Sequence, residues 1–292
     1  MENDWPHRLS HWVQTACRMD VLSPKPGNVS PNKEFPGATV QDFLKSAAAV
    51  AAVLSTAESR PPGRVILEAV QATRSIVSHN TNLGIILLLA PLAAVPRHRT
   101  LREGIVEVLR ATTVADSEAA YEAIRLMNPG GLGDADAQDV ADRPTQPLWK
   151  CMELAADRDL IARQYVSGFS DVLEQGVTWL MAAANRTSDQ SEQVVLLSLQ
   201  MLAHWGDSLI ARKCGDEASR QTQQRARALL NEGWPESAEA RPLLEDLDRF
   251  LRDEQHRRNP GTTADMVAAT LFAAQRDGLY RADPGWLNTE DT

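Results

Sequence analysis

The sequence predicts an all-α protein that folds as a single compact domain of many helices. Helical periodicity runs along nearly the whole chain, and alternating strand-like runs are scarce. Val and Ile occur inside Ala- and Leu-rich stretches rather than in β-type runs. Because no composition break, internal repeat or low-complexity tract divides the chain, one domain is predicted over residues 1–292.

The first half of the chain is predicted to be helical over residues 7–20, 39 or 41–55, 63–77, 80–94, 101–111 and 116–128. A loop rich in Pro, Gly and Asn at 23–36 separates the first two helices. Pro61 and Pro62 mark the start of the third helix, since proline fits the first helical turn. The helix at 80–94 is apolar all round, which predicts the central buried helix.

The second half is predicted to be helical over residues 148–157, 159–184, 189–205, 216–231, 238–257 and 262–277. Thr262 or Thr263 is a suitable N-cap for the last of these helices. Pro129 and the glycines after it end the preceding helix and begin a Gly- and Asp-rich loop at 129–147. Loops of that length in a compact domain are usually functional or disordered.

Composition and charge exclude several classes of protein. The chain has 30 Lys and Arg against 39 Asp and Glu, a formal net charge of −9, and 43% hydrophobic residues. Such an apolar fraction excludes a disordered chain. The acidity argues against a nucleic-acid binder, whose affinity depends on Lys and Arg neutralising phosphates. The same acidity raises the question of how the chain would bind an anionic substrate.

Cysteine usage and the N-terminal sequence predict a soluble cytoplasmic protein. Cys17, Cys151 and Cys214 are far apart and have no zinc-type spacing, which favours free thiols in a reducing compartment. The first residues lack the features of a signal peptide. The longest apolar run, 83–92, is too short to cross a bilayer.

Two polar segments near the N-terminal side of apolar helices are candidates for ligand binding. In the first, Lys25 lies between two prolines and precedes Gly27, an arrangement that suits a phosphate site but also an ordinary turn. In the second, Asn80 and Thr81 begin the apolar helix, with Gly84 one turn in. These residues indicate either an N-cap or an anion or sugar site at a helix N-terminus.

Three further segments combine carboxylates with glycine or arginine. The loop at 130–139 has the sequence GGLGDADAQD, and its carboxylates suit either Mg²⁺ or a solvated acidic turn. Asp207 and Arg212 suit metal and phosphate binding, or else a helix cap and a solvated face. Asp265 follows a Pro-Gly turn, where helix capping alone explains most of the pattern.

Other common catalytic and metal-binding motifs do not occur in the sequence. It contains no GxSxG elbow and no GxxxxGK[ST] loop. Of the six histidines, His7 and His11 alone have helical i, i+4 spacing, and they lack a third ligand nearby.

Taken in order, the five segments resemble one family, the triphosphoribosyl-dephospho-CoA synthases. These enzymes make the precursor of the prosthetic group of citrate lyase and malonate decarboxylase acyl carriers. The matching motifs in this chain are PKPG at 24–27, NTNLG at 80–84, GGLGDAD at 130–136, DSLIAR at 207–212 and NPGTTAD at 259–265. The resemblance extends from about residue 12 to 278.

The resemblance implies an all-helical transferase that moves a triphosphoribosyl group from ATP to the 2′-hydroxyl of dephospho-CoA and releases adenine. It implies Mg²⁺, small-molecule nucleotide substrates, and no nucleic-acid or membrane partner, and it is compatible with a homodimer. The residues it assigns to catalysis and Mg²⁺ are Asp134, Asp136 and Asp207. The residues it assigns to substrate binding are Lys25, Gly27, Asn80, Thr81, Arg212 and Asp265. All of these except Gly27 and Thr81 are predicted to line one pocket.

The chain departs from the family pattern at the start of the apolar helix. Members typically have His and Lys where this chain has Asn82 and Leu83, which removes one positive charge from the expected donor site. Asp134 and Asp136 also stand where the family has Glu. An alternative function is therefore α-ribosyl or ribosyl-phosphate transfer to another alcohol, such as a pterin side chain. A non-catalytic nucleotide-binding protein is the third hypothesis.

Overall fold

The computed structural model describes residues 4–130, 132–133, 135–252 and 255–288. Its α-helices are α1 (Trp5–Leu22), α2 (Val40–Leu54), α3 (Pro62–Arg74), α4 (Leu83–Ala94), α5 (Leu101–Arg110), α6 (Val114–Met127), α7 (Leu148–Glu153), α8 (Leu160–Ser167), α9 (Val177–Arg186), α10 (Gln190–Trp205), α11 (Ser208–Cys214), α12 (Asp216–Asn231), α13 (Ala240–Leu251), α14 (Gly261–Arg276) and α15 (Gly285–Asn288). Within these ranges, β-type hydrogen bonding is limited to two isolated bridges in the loop after α1. The predicted all-α class is confirmed.

Helix α4 is the central buried helix, as its composition predicts. Every residue of α4 except Gly84 is buried. It packs against α14 and α3 and also contacts α2, α5 and α8. A helix with no polar face must be surrounded in this way, because each exposed apolar side would lose its hydrophobic stabilisation.

The buried apolar side chains form two large clusters. The larger cluster surrounds α4 and includes Leu9, Ile86 and Phe272, each of which is fully buried. The second cluster is formed by α9–α13 and includes Leu199 and Leu229. Helix α10 contributes to both, so the C-terminal helices pack onto the central core through it.

Capping boxes define the start of three helices. Thr39 and Asp42 cap α2, and Thr113 and Asp116 cap α6, each pair bonding reciprocally through side chain and backbone. A third box begins α5. Each box satisfies backbone N–H groups that have no partner inside the helix.

The structure divides the single helix predicted over 159–184. Helix α8 ends at Gly168, which has a φ of 65°, and the fully buried Phe169 follows with a φ of 62°. A π-helical segment, Asp171–Gly176, then leads into α9. Two consecutive residues in the left-handed conformation interrupt the helical hydrogen bonds. The spacing of apolar residues does not reveal such an interruption.

Helix α11 is an element that periodicity does not predict. It has only seven residues, begins after Gly206 and Asp207, and ends at Gly215. Both glycines have positive φ values, 69° and 87°. A helix of two turns is too short to show a clear repeat.

No single helix among the described residues combines the length and the apolar composition needed to cross a bilayer. The pair α10 and α11, bent by 58°, meets those two criteria when its helices are counted together.

Candidate active site

A cavity of about 430 Å³ lies among α1, α4, α6, α8, α11 and α14, and the loop after α6 lines another side of it. All five segments singled out in the sequence contribute lining residues, the first of them, at 24–28, through Asn28. Sequence positions up to 245 apart, from Asp20 to Asp265, therefore share one cavity.

The beginning of α4 forms one wall of the cavity. Asn80 Oδ1 accepts a hydrogen bond from the Leu83 N–H at 3.1 Å and so supports the first turn of the helix. Thr81 is held by Ser46, with 2.7 Å between their hydroxyl oxygens. Asn80 and Thr81 both line the cavity, as does Leu83, the apolar residue in the lysine position of the family pattern.

Asp265 contributes an unpaired carboxyl group to the cavity. Its side chain lies against Gly84, and a Cβ at Gly84 would be 2.0 Å from Asp265 Oδ2, so a methyl group there would have to displace the carboxyl group. Neither a hydrogen bond nor an ion pair links Asp265 to another described residue. Burial raises its pKa well above the usual value, and the neighbouring carboxylates of Asp20, Asp207 and Asp159 raise it further.

Arg212 and Lys213 on α11 supply positive charge to the cavity. The Arg212 Nη1 atom is 2.5 Å from Asp159 Oδ2, while its Nε is buried without a hydrogen-bond partner. Asp159 is itself fixed, because its Oδ1 accepts the N–H groups of Ile161 and Ala162 at the start of α8. The guanidinium is thus held in place but keeps donors for a ligand.

Lys213 is half-buried and lines the cavity beside Gly130. Within the described ranges no carboxylate lies within ion-pair distance of its ammonium group. Burial lowers the pKa of Lys213, and the nearby positive charge of Arg212 lowers it further. Arg158 is a third lining cation, exposed at the cavity edge. Arg158 also contacts Asp157 and the carbonyl oxygen of Leu154, so of the three cations Lys213 has the charged group most available to phosphate oxygens.

Lys25 does not line the cavity, contrary to the prediction. Its side chain is fully buried, and its Nζ contacts both the carbonyl oxygen and the carboxylate of Asp20, at 3.0 Å from Asp20 Oδ1. Asp20 does line the cavity. Burial raises the pKa of Asp20, and Lys25 opposes that increase. Lys25 therefore influences the cavity through Asp20.

Gly27 also lies away from the cavity lining. Its φ is 76°, and its N–H donates to Asp248 Oδ1 at 2.8 Å. A Cβ at this position would be 2.5 Å from the Cβ of Leu251 and 2.9 Å from Pro260. Glycine is required here for a left-handed turn and close packing against α13.

Asp207 does not line the cavity either, because it caps two helices behind the wall. Its Oδ1 accepts the Ile210 N–H at 3.0 Å, and its Oδ2 accepts the N–H and hydroxyl of Thr263, each at 2.8 Å. The residue is 1% exposed. Burial raises the pKa of Asp207, and these hydrogen bonds offset only part of that increase. Of the two interpretations that the sequence allows for Asp207, the helix cap agrees with this geometry.

The acidic loop after α6 lines the cavity, but mainly with residues other than those predicted. Asp134 lies outside the described residues. Asp136 is exposed and is not part of the lining. Asp139 is part of the lining, and its pKa is lowered by hydrogen bonds from the N–H groups of Ala141 and Ala135. Asp139 thus orders the loop with its carboxylate.

The described residues do not form a preassembled metal centre. No group of three or more His, Cys, Asp or Glu side chains in those ranges is close enough to hold a metal ion. Mg²⁺ usually takes only one or two carboxylates together with substrate phosphates, and the cavity lining includes the carboxyl groups of Asp20, Asp139 and Asp265. The residues present therefore fit a magnesium ion that arrives with a phosphorylated substrate.

Sequence reasoning missed Asp20, Asn82, Asp159 and Lys213, all of which line the cavity. Asp20 had a signal in the sequence, since it continues the apolar spacing of Leu9, Val13 and Cys17 along one face of α1. A carboxylate on a buried face needs a partner or a function. Asn82 and Lys213 lie within or directly beside two of the segments singled out in the sequence, but only the packing of the helices brings them to the cavity, and the same holds for Asp159.

The chain is similar to known proteins of one family. The profile of the family described as ATP:dephospho-CoA triphosphoribosyl transferase (CitG) matches residues 6–283. A crystal structure from Archaeoglobus fulgidus, described as a "putative triphosphoribosyl-dephospho-coA synthase", superposes with a TM-score of 0.64 and 28% identity. The superposition covers 82% of this chain and 100% of that one.

Two curated relatives are each described as a "probable 2-(5′′-triphosphoribosyl)-3′-dephosphocoenzyme-A synthase". The protein from Azotobacter vinelandii is 29% identical over 120 residues, which is 41% of this chain and 40% of the relative. The protein from Albidiferax ferrireducens is 29% identical over 113 residues, which is 39% of this chain and 37% of the relative. The aligned region thus spans about two fifths of the length of each relative.

Proposed function

Since the chain belongs to the ATP:dephospho-CoA triphosphoribosyl transferase family, we propose that it transfers a 5-triphosphoribosyl group from ATP to the 2′-hydroxyl of 3′-dephospho-CoA. Adenine is the other product. The observation that carries this proposal is a single cavity in which an unpaired carboxyl group, Asp265, lies near the cations of α11. Substitution at a phosphorylated sugar requires both kinds of group.

In the proposed reaction, the N-glycosidic bond between adenine and C1′ of the ribose breaks, and a bond forms between C1′ and the acceptor oxygen. The acceptor hydroxyl loses its proton, and the departing adenine gains one. Positive charge develops on the ribose ring in the transition state, as in glycoside hydrolysis. A carboxylate next to C1′ stabilises that charge and can accept the hydroxyl proton.

Asp265 is the best placed carboxyl group for the role of base. It faces the cavity without an internal hydrogen bond, whereas both Asp207 oxygens already accept bonds from helix N–H groups. Its raised pKa suits a group that takes up a proton during the reaction. Asp136 is exposed and outside the cavity lining, so we prefer Asp265 to it.

We propose that the triphosphate binds to Arg212 and Lys213. Arg212 is oriented by Asp159, and Lys213 has no competing carboxylate among the described residues. When bound, Mg²⁺ would neutralise phosphate charge, and Asp20 or Asp139, which also line the cavity, would hold it together with the phosphates. The net charge of −9 does not prevent phosphate binding, because local cations determine it.

The test is to incubate the protein with ATP, Mg²⁺ and dephospho-CoA and to measure adenine release and product mass. We expect adenine in equal amount to a dephospho-CoA adduct carrying the triphosphoribosyl group. Lys213→Met should raise the KM for ATP about tenfold or more, whereas Lys45→Met, an exposed lysine on α2, should not. Absence of adenine release under these conditions would contradict the proposed reaction.

A second candidate is ribosyl-phosphate transfer to another alcohol, such as a pterin side chain. The buried, cavity-lining Leu83 favours it, because an apolar residue stands where the family pattern has a lysine. Adenine or pyrophosphate released only in the presence of a different alcohol acceptor would support this candidate over the first.

A further inference from the structure

Two exposed leucines lie at the cavity. Leu132, in the loop after α6, is 45% exposed, and Leu154, directly after α7, is 47% exposed. The described residues include ten large apolar side chains that are exposed, and of these ten only Leu132 and Leu154 line the cavity. One exposed leucine on a protein surface needs no explanation, but exposed apolar side chains that line a cavity mark a place where a ligand covers them.

The two segments that carry these leucines lie beside each other. The Cys151 thiol of α7 donates a hydrogen bond to Oε1 of Gln138, in the loop after α6, at 3.8 Å. Ala155 follows Leu154 and also lines the cavity. We call the surface formed by Leu132, Leu154 and Ala155 the apolar margin of the cavity.

An exposed cation adjoins the apolar margin. Arg158 lines the cavity, and its Nη1 donates to the carbonyl oxygen of Leu154 at 3.0 Å. Its ion pair with Asp157 is long, at 3.7 Å, and both side chains are exposed, so this pair holds the guanidinium only weakly. The Nε and Nη2 atoms of Arg158 have no hydrogen-bond partner among the described residues. A positive group and an uncharged surface therefore follow one another along this edge.

The size of the cavity requires part of one substrate to lie at its edge. A volume of about 430 Å³ is in the lower part of the range for a single small-molecule ligand, roughly 300–1,000 Å³. The proposed reaction needs ATP and dephospho-CoA together. The reacting 2′-hydroxyl must lie inside, near Asp265, whereas the pantetheine arm is attached through the diphosphate to the 5′ end of the same nucleoside. The arm is therefore the part that extends outward.

We propose that the pantetheine arm of dephospho-CoA lies across the apolar margin, with the diphosphate beside Arg158. The arm is uncharged, and its geminal methyl groups come directly after the phosphate, in the order in which Leu154 adjoins Arg158. Apolar contact suits the methyl groups, and a guanidinium suits the phosphate oxygens. The inference rests on the proposed function for the identity of the acceptor.

The test is equilibrium binding of dephospho-CoA and of ADP, measured by calorimetry without ATP, so that no turnover occurs. ADP has the same adenosine and a diphosphate but lacks the arm. The double variant Leu132→Ser/Leu154→Ser should bind dephospho-CoA about tenfold more weakly, because it loses the apolar contact of two side chains. It should bind ADP as the wild type does. Leu126→Ser on α6, 43% exposed and outside the cavity lining, is the matched control and should leave both affinities unchanged.

Three outcomes would overturn the proposal. The first is unchanged dephospho-CoA binding in the folded double variant. The second is an equal loss of affinity for dephospho-CoA and ADP, which would place the leucines against the nucleotide that both ligands share. The third is a wild type that does not bind dephospho-CoA. Because turnover is not measured, a protein that binds the arm through these leucines but releases no adenine would contradict the proposed reaction and not the arm site.

Discussion

The Asp265 carboxyl group rests directly on the backbone of Gly84, so that an ideal Cβ at Gly84 would lie 2.0 Å from Oδ2 and 2.4 Å from Cγ of Asp265. The second turn of α14 therefore meets the first turn of α4 at the cavity wall. The absence of a side chain at Gly84 allows Asp265 to occupy this position. Gly84 thereby sets the location of the carboxyl group that we propose as the base.

Gly84→Ala should reduce activity without unfolding the protein. The added methyl group would displace the Asp265 carboxyl group and the Cδ1 of Ile161, which would be 2.8 Å away, and both lie at the ends of side chains that can rotate. We expect kcat/KM to fall about 100-fold, as displacement of a catalytic group by about 1 Å does. The free energy of unfolding should change by less than about 1 kcal/mol, since alanine favours a helix.

The control for Gly84→Ala is Gly285→Ala at the start of α15, where a Cβ would have no neighbour within 4 Å. That variant should keep full activity. Wild-type kcat/KM in Gly84→Ala would show that the position of Asp265 does not matter for catalysis.

Asp265→Asn should abolish most of the activity and stabilise the fold near neutral pH. Loss of a general base typically lowers kcat by about 10²–10⁴-fold. Burial and neighbouring carboxylates raise the pKa of Asp265, so the folded state binds its proton more tightly than the unfolded state does. The wild type therefore loses stability as pH rises from the ordinary Asp range through the raised pKa.

Asparagine at position 265 removes this pH-dependent loss. Urea unfolding of both proteins should show Asp265→Asn to be the more stable at pH 7, with the difference shrinking as the pH falls below about 4, near the ordinary Asp value. Equal stability of the two proteins across this range would contradict the raised pKa. Retained turnover would remove Asp265 from the proposed mechanism.

Lys25→Met should destabilise the protein, because it leaves the Asp20 carboxylate without its cation. The Lys25 side chain is fully buried, and the Asp20 side chain is 7% exposed. Removing one partner of a buried ion pair costs about 3–5 kcal/mol. Adding Asp20→Asn should recover part of that loss, and Lys45→Met should cost less than about 0.5 kcal/mol. A phosphate-binding Lys25 would instead show a raised KM for ATP with unchanged unfolding.

Asp207→Ala should act on stability through the two helices that it caps. The variant removes acceptors for Ile210 N–H and for both donors of Thr263. Loss of a helix cap costs about 1–2 kcal/mol, and unpaired buried donors add to it. Thermal or urea unfolding measures this effect. Unchanged stability together with lost turnover would favour the catalytic role that the family resemblance implies for Asp207.

Several features of the fold could be predicted from local sequence. The all-round apolar composition of α4 predicts its burial, and capping boxes and prolines locate helix starts to within a few residues. These signals are local, because hydrophobic periodicity and capping depend on residues within one or two turns. The break at Gly168 and Phe169 gave no such signal, because a left-handed conformation does not alter the hydrophobic pattern.

The sequence by itself determined the all-helical class, the family and the segments that approach the cavity. The tertiary structure decided which of the charged side chains reach it: Asp265 and Lys213 do, whereas Asp207 and Lys25 do not. The physical reason is that a polar side chain near a helix end can either satisfy backbone N–H groups or face a ligand. Only the packing of distant elements determines which of the two it does.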